Sequence, residues 1–325
     1  MARAPERNDH GGNLAEACAR FGGAAEDWLD LSTGINPVAY PGTEVSHAAW
    51  ARLPDRSAFD AAEAVARAAY GVPEGAAVVA AAGASALIGL VQRLVRGSVV
   101  AIPGPTYNEH GTAFRAAGWR VAERPEPGTT AAVVVNPNNP DGRSWSAGEL
   151  LLMAEALPLL VVDESFIDLT PEGSLCGHAG AEGLVVLRSF GKFYGLAGLR
   201  LGFAVCGRET AVRLRRMLGP WAVSGPALEV GARALADTTW AEATRERIRA
   251  DAARLAALGR AAGWSVVGGA GLFITFETPD AGAAQARLAR VRIWSRVFPY
   301  SAIWLRLGLP GTEAGWRRLA GALEG

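Results

Sequence analysis

Through its middle the chain repeats one pattern: a short aliphatic run with no polar alternation, then a stretch with helical spacing. "AAVVAAAGA" precedes "SALIGLVQRLV", "SVVAIPGP" precedes a helical stretch near Glu109–Ala117, and "AAVVVNPNNP" precedes "SAGELLLMAEAL". "PLLVVDES", "GLVVLRSF" and "RLGFAVCG" are further runs of the same kind. A strand that is apolar at consecutive positions has both faces covered. Strands of that kind alternating with helices predict an α/β domain built on a mainly parallel sheet.

Around Ala211–Ala262 the pattern turns long and helical. "WSVVGGAGLFITFET", a helix near Ala281–Val291 and "WLRLGLP" then read as a smaller α+β unit. The opening has few periodic signals and many turn residues, so it is expected to run across the body rather than fold alone. The division read from this is an N-terminal segment, residues 1–45, packed on the small domain and covering the site; a large domain, 46–220; and a small domain, 221–325.

Composition excludes several classes. The chain is half hydrophobic with a formal net charge of zero, so no basic field points to nucleic acid or anionic lipid. The arginines of Arg213–Arg216 read as a solvated helix face. Cys18, Cys176 and Cys206 lack CxxC spacing and cannot all pair internally, which favours a reduced, cytoplasmic chain. "MARAPERNDHGG" has no apolar core for a leader. No apolar run reaches the roughly 18 residues that a membrane span needs.

In an open α/β sheet, ligands sit beyond the carboxyl ends of the strands. Four punctuated stretches fall there: Gly83-Ala84-Ser85, Asn136–Gly142, Asp163–Phe166 and Ser189–Arg200. Gly83-Ala84-Ser85 is either an anion cradle at a helix start or a plain strand–helix turn with Ser85 as N-cap. It is no Walker loop, because Val186 and Phe193 stand where that motif around Gly191-Lys192 needs glycine and a hydroxyl. No strand-linked GxGxxG supports a nicotinamide cofactor. Asp163 ends a buried run, where a carboxylate is costly unless paired. It is a cap, a partner for an arginine, or the counter-charge of a cationic ligand nitrogen. Asn139 is a turn residue or a donor to a ligand. Lys192, among Phe190, Phe193, Leu196 and Leu199, either snorkels to solvent or is a desolvated, lowered-pKa amine able to attack an aldehyde. The Ser189 hydroxyl and the Arg200 guanidinium stand at offsets that could converge on one phosphate.

S-x-x-K with an arginine eight residues on, preceded by N-P-x-N-P-x-G and D-E-x-[YF], resembles the fold-type I pyridoxal-phosphate (PLP) enzymes of the class I/II aminotransferase group. The resemblance runs from Gly83 to Arg306. It implies a three-layer PLP-binding large domain with a smaller α+β domain. It makes Lys192 the amine that condenses with the cofactor aldehyde, Asp163 the partner of the ring nitrogen, Asn139 a donor to the phenolic oxygen and Tyr107 a stacking ring. The phosphate falls to the Gly83 turn with the N–H groups of Ala84 and Ser85, to Ser189 and to Arg200; the substrate carboxylate falls to Arg306, with Asn139 beside it. Phe166 stands where many relatives have Tyr, and Leu53-Pro54-Asp55 where histidinol-phosphate aminotransferases tend to carry Y-P-D.

"HGGNLAEACARFG" and "WLDLSTGINPVAYP" resemble the cobalamin-pathway branch, the L-threonine-O-3-phosphate decarboxylases. That resemblance implies a second anion site for the substrate phosphate, from His10 with the N–H groups of Gly11 and Gly12, from Ser32, Thr33 and Gly34, and from Arg296. The implied reaction is decarboxylation to (R)-1-amino-2-propanol O-2-phosphate in a cytoplasmic homodimer that uses no metal, nucleic acid or membrane. A histidinol-phosphate-type aminotransferase is the alternative, and a non-catalytic PLP-fold binding protein a remote one.

Overall fold

A computed structural model describes residues 10–324; the stretch before residue 10, where the sequence offers no apolar core for a leader, lies outside them. In chain order its strands are β1 Leu29–Asp30, β2 Ala76–Ala81, β3 Val99–Ala101, β4 Arg120–Ala122, β5 Thr129–Val135, β6 Leu159–Asp163, β7 Leu184–Ser189, β8 Gly202–Gly207, β9 Ser265–Gly269, β10 Phe273–Glu277, β11 Ile293–Trp294, β12 Arg296–Phe298 and β13 Ser301–Gly308. Two compact units result, one comprising Val38–Arg247, the other the chain through Pro37 together with Ile248 onward.

The Val38–Arg247 unit is built on a seven-stranded sheet in the order β2-β8-β7-β6-β5-β3-β4. β7, β6, β5, β3 and β4 run parallel, while β8 is antiparallel to both of its neighbours. All five residues of β6 are buried, as the uninterrupted apolar run requires. Leu87, Phe114, Val133, Val161, Val185 and Leu214 belong to one core cluster drawn from strands and helices. Each such side chain contributes about 1.5–3 kcal/mol by leaving water. Ser146 and Glu149 form a reciprocal capping box that starts the helix Ala147–Ala156.

Two expected helices are shorter than their patterns. The stretch after Gly83 is a helix only over Ala84–Ile88, closes at Gly89, and resumes as a 3-10 turn over Val91–Arg93. Glycine's poor helix propensity at the break explains the stop. The long helical region is three helices, Arg208–Leu218, Gly225–Ala236 and Thr238–Ala261, separated by Gly219-Pro220 and by Asp237.

In the other unit, β12-β13-β10-β9 form a four-stranded antiparallel sheet, and β1 pairs in parallel with β11. The opening segment also carries a helix that its weak periodicity did not predict, Leu14–Phe21, capped by Asn13. Ala17 of that helix packs with Trp28, Ala289 and Trp294. The dividing lines fall after Pro37 and Arg247 rather than after residues 45 and 220. The helix Gly225–Ala236 packs on Arg56–Ala69, which keeps the residues after 220 with the large sheet. Among the described residues no helix is long and apolar enough to cross a membrane.

Candidate active site

Strand direction gathers the site. β5, β6 and β7 point the same way, and β2 joins them because β8 is antiparallel to both β2 and β7. The loops after these four strands therefore leave one edge of the sheet, and the chain enters β8 from that same edge just after Arg200. Register makes this specific: Val135 pairs with Asp163, Asp163 with Leu187, and Gly202 with both Ser189 and Ala81.

Lys192 lies on the single turn Phe190–Phe193, held by the buried rings of Phe190 and Phe193. Phe190 stacks on Tyr194 at 4.4 Å. The Lys192 ammonium donates to Ser189 Oγ at 3.2 Å and stands 5.1 Å from the centre of the Phe166 ring. One signal was overlooked in the sequence: Lys192 is the only lysine of the chain. No other ε-amine competes for an aldehyde.

Asp163 is 2% exposed. Burial pushes its carboxyl up, but the His110 hydrogen bond and charge, the nearby Lys192 charge and the Ser165 bond outweigh burial and hold it at about 2. His110 Nε2 lies 2.8 Å from Oδ2, and the Ser165 N–H donates to Oδ1 at 2.9 Å. Of the partners the sequence left open for it, a cap, an arginine or a ligand nitrogen, none is the side chain bonded here, which is a histidine. Sequence reasoning missed His110, although Tyr107 and His110 are three residues apart at a helix start and so share a face. Their rings meet edge-on at 6.0 Å. Burial, with Glu109 and Asp163 nearby, raises the Tyr107 phenol to about 12, so it stays neutral.

Gly83, not Ser85, is the N-cap of Ala84–Ile88. Its φ of 82° is one that side chains rarely adopt, and a Cβ there would stand 2.8 Å from Arg200 Nη2. The guanidinium thus lies against the turn whose first N–H groups have no intrahelical acceptor. Arg200 is itself left-handed, at φ 55°, where it closes the 3-10 turn Ala197–Leu199. Asn139 lies half-buried in the loop after β5. The edge therefore collects Gly83, Ala84, Ser85, Tyr107, Asn139, Asp163, Ser189, Lys192 and Arg200.

The other unit holds the remaining residues. Arg306 on β13 is 6% exposed and donates to the Ser32 carbonyl at 2.7 Å. Arg296 pairs with it directly across β12 and β13, so both side chains leave the same face of the sheet. Their guanidiniums lie 5.5 and 6.0 Å from the Phe298 ring centre. Ser32 Oγ donates to Asp30 at 2.6 Å and accepts the Gly12 N–H at 2.7 Å. That N–H, expected to meet an oxyanion, is thus engaged by Ser32. Gly11 packs against the Ser32 carbonyl; Thr33 and Gly34 follow it, and His10, half-buried, precedes.

The profile of the family described as "Aminotransferase class I and II" matches residues 45–323. This chain belongs to the class I and II aminotransferase family. Within that family it is 45% identical to a threonine-phosphate decarboxylase of Sinorhizobium sp, over 97% of both chains. It is 43% identical to one of Pseudomonas aeruginosa, over 98% of this chain and 97% of the other. Among solved structures, a histidinol-phosphate aminotransferase from Sinorhizobium meliloti in complex with pyridoxal-5'-phosphate superposes with a TM-score of 0.83, 20% identical, over 99% of this chain and 97% of the other. The seven-stranded mixed sheet and small unit described above are this family's fold.

Proposed function

We propose that this chain is a PLP-dependent lyase that decarboxylates L-threonine O-3-phosphate to (R)-1-amino-2-propanol O-2-phosphate, a step of cobalamin biosynthesis. One observation carries the substrate: the two relatives named threonine-phosphate decarboxylase match this chain almost end to end at 43–45% identity. The cofactor fits what the sheet edge offers. A carboxylate held ionised can keep a ring nitrogen protonated. The only lysine reaches the hydroxyl assigned to the phosphate, and the Gly83 turn leaves room for a guanidinium where a side chain would not.

PLP, when bound, supplies the sink for the electrons left at Cα. The chain's own residues do the rest. Ser189, Arg200 and the N–H groups of Ala84 and Ser85 take the cofactor phosphate. Asp163 holds the proton on the ring nitrogen, Asn139 donates to the phenolic oxygen, and Tyr107 covers a ring face. Arg306 takes the α-carboxylate, while Arg296 serves the substrate phosphate with Ser32, Thr33, Gly34 and the His10-Gly11-Gly12 stretch. The carboxylate departs as CO2, and Lys192 returns one proton to Cα, which balances the reaction. The reading extends to a homodimer working in the cytoplasm.

The test is incubation of the PLP-loaded protein with L-threonine O-3-phosphate and no keto acid. Continuous CO2 release without accumulating pyridoxamine phosphate is expected. One equivalent of pyridoxamine phosphate per site and no CO2 would instead establish an aminotransferase, the reading that the histidinol-phosphate enzyme's fold keeps open.

A further inference from the structure

Tyr107 and Asn139 sit on different loops, after β3 and after β5. One fully buried side chain joins those loops. Asn138, 0% exposed, accepts the Thr106 hydroxyl on Oδ1 at 2.5 Å. Its Nδ2 donates to the Pro105 carbonyl at 2.9 Å and to Asp141 Oδ1 at 2.7 Å. A primary amide has two N–H donors, and both are used. The amide's orientation is chemically determined, because the reverse orientation would face its oxygen toward a carbonyl and a carboxylate.

Its backbone is engaged as well: the N–H donates to the Arg143 carbonyl at 2.7 Å, and the carbonyl accepts from Gly142 at 2.9 Å. Asp141 Oδ1 also accepts the Arg143 N–H at 3.0 Å. Arg143 in turn reaches back to the Pro103 carbonyl at 3.3 Å. Contacts thus run from Asn138 and its neighbours to Pro103, Pro105 and Thr106, ending one residue short of Tyr107 on one side and of Asn139 on the other.

We propose that Asn138 is a positioning residue, which fixes the loop bearing Tyr107 against the loop bearing Asn139 and so sets where the cofactor ring is stacked and where its phenolic oxygen meets a donor. The inference rests on the PLP reading above. Asn138 touches neither cofactor nor substrate in this assignment; it acts through its two neighbours. The phosphate anchors Ser189, Arg200 and Gly83 lie on other loops and are independent of it.

The experiment compares wild type with Asn138→Ala and Thr106→Val in three readouts: PLP affinity of the apoprotein, competition by inorganic phosphate, and the pH midpoint of the bound cofactor's visible absorbance at saturating PLP. Wild type comes first; if it forms no PLP complex through Lys192, the cofactor reading fails and not this one. With Asn138→Ala, PLP binding weakens by at least about tenfold, the cost of stranding buried partners, while phosphate competition stays within about twofold because its anchors are untouched. The pH midpoint moves up, since a donor at the phenolic oxygen favours the more negative form and is now misplaced. Thr106→Val removes one of the bonds and shifts both quantities in the same directions by less. If Asn138→Ala does not fold, Thr106→Val decides alone. Wild-type affinity and midpoint in the folded variant overturn the proposal, as does an equal loss of phosphate binding, which would mark general damage to the fold.

Discussion

At Asp163 burial is opposed by the hydrogen bonds of His110 and Ser165 and by the His110 and Lys192 charges, and together these prevail. Its carboxyl is lowered from the ordinary 3.8 to about 2. A depressed carboxyl contributes stability above its unfolded value, and that contribution is lost as pH falls through its folded value. Acid titration of the apoprotein by circular dichroism should therefore show stability falling between about pH 4 and pH 2, by roughly 2 kcal/mol from this group. His110→Ala should raise the Asp163 pKa and move the loss to higher pH. An unchanged acid limb in that variant would remove His110 from the account. Asp163→Asn, which cannot hold a ring proton by charge, should lower kcat at least about a hundredfold, in the range for removing one preorganised electrostatic partner. The cysteines offer an independent check. Burial pushes the Cys176 and Cys206 thiols up to about 12, so a thiol reagent at neutral pH should modify Cys18 first in the native protein. Asp163 and Lys192 were legible in the sequence because each is a charge at the end of an apolar run. His110 was not, since its spacing from Tyr107 places the two on one face while only the strand order brings it beside Asp163.

The loops and strand ends show where reading by pattern stops. That four punctuated stretches lie at one sheet edge was legible, because parallel strands with helical crossovers must place alternate loops on the same side. The antiparallel insertion of β8 between β2 and β7 was not, because a strand buried on both faces has the same composition in either direction. Ser85 looked like a cap by residue type, but the close approach of β8 gives that place to Gly83. Gly202 enforces the approach: a Cβ on it would collide with the backbone nitrogen of Ala84, which cannot swing aside. Gly202→Ala is expected to destabilise the apoprotein by about 1–3 kcal/mol, as overpacking does, and to weaken PLP binding through the displaced turn. Calorimetry and PLP titration measure the two effects. The opposed Arg296 and Arg306 yield a matching prediction for the four-stranded sheet. Arg306→Gln should raise KM for threonine phosphate by about 10–100-fold, the loss of a charge-assisted bond. A variant with unaltered KM would detach β13 from substrate binding.

One unit is built around a seven-stranded sheet and the other around a four-stranded sheet. Their existence was legible as a change from strand–helix alternation to a helical stretch and then an α+β pattern. Their membership was not, because helix packing sends residues 221–247 to the large unit, and the pairing of β1 with β11 together with the packing of Ala17 sends the segment through Pro37 to the small one. Trp50, Leu53 and Trp221 are exposed at 72%, 66% and 59% on the large unit. Light scattering of the purified protein should return a homodimer mass, and a monomer at micromolar concentration would contradict that part of the reading. The chemistry as a whole depends on one amine. Because the chain has a single lysine, borohydride reduction of the PLP-loaded protein followed by peptide mass mapping tests it directly. One phosphopyridoxyl group is expected, on the peptide carrying Lys192, and none in Lys192→Ala. A group found elsewhere, or no group at all, would contradict it.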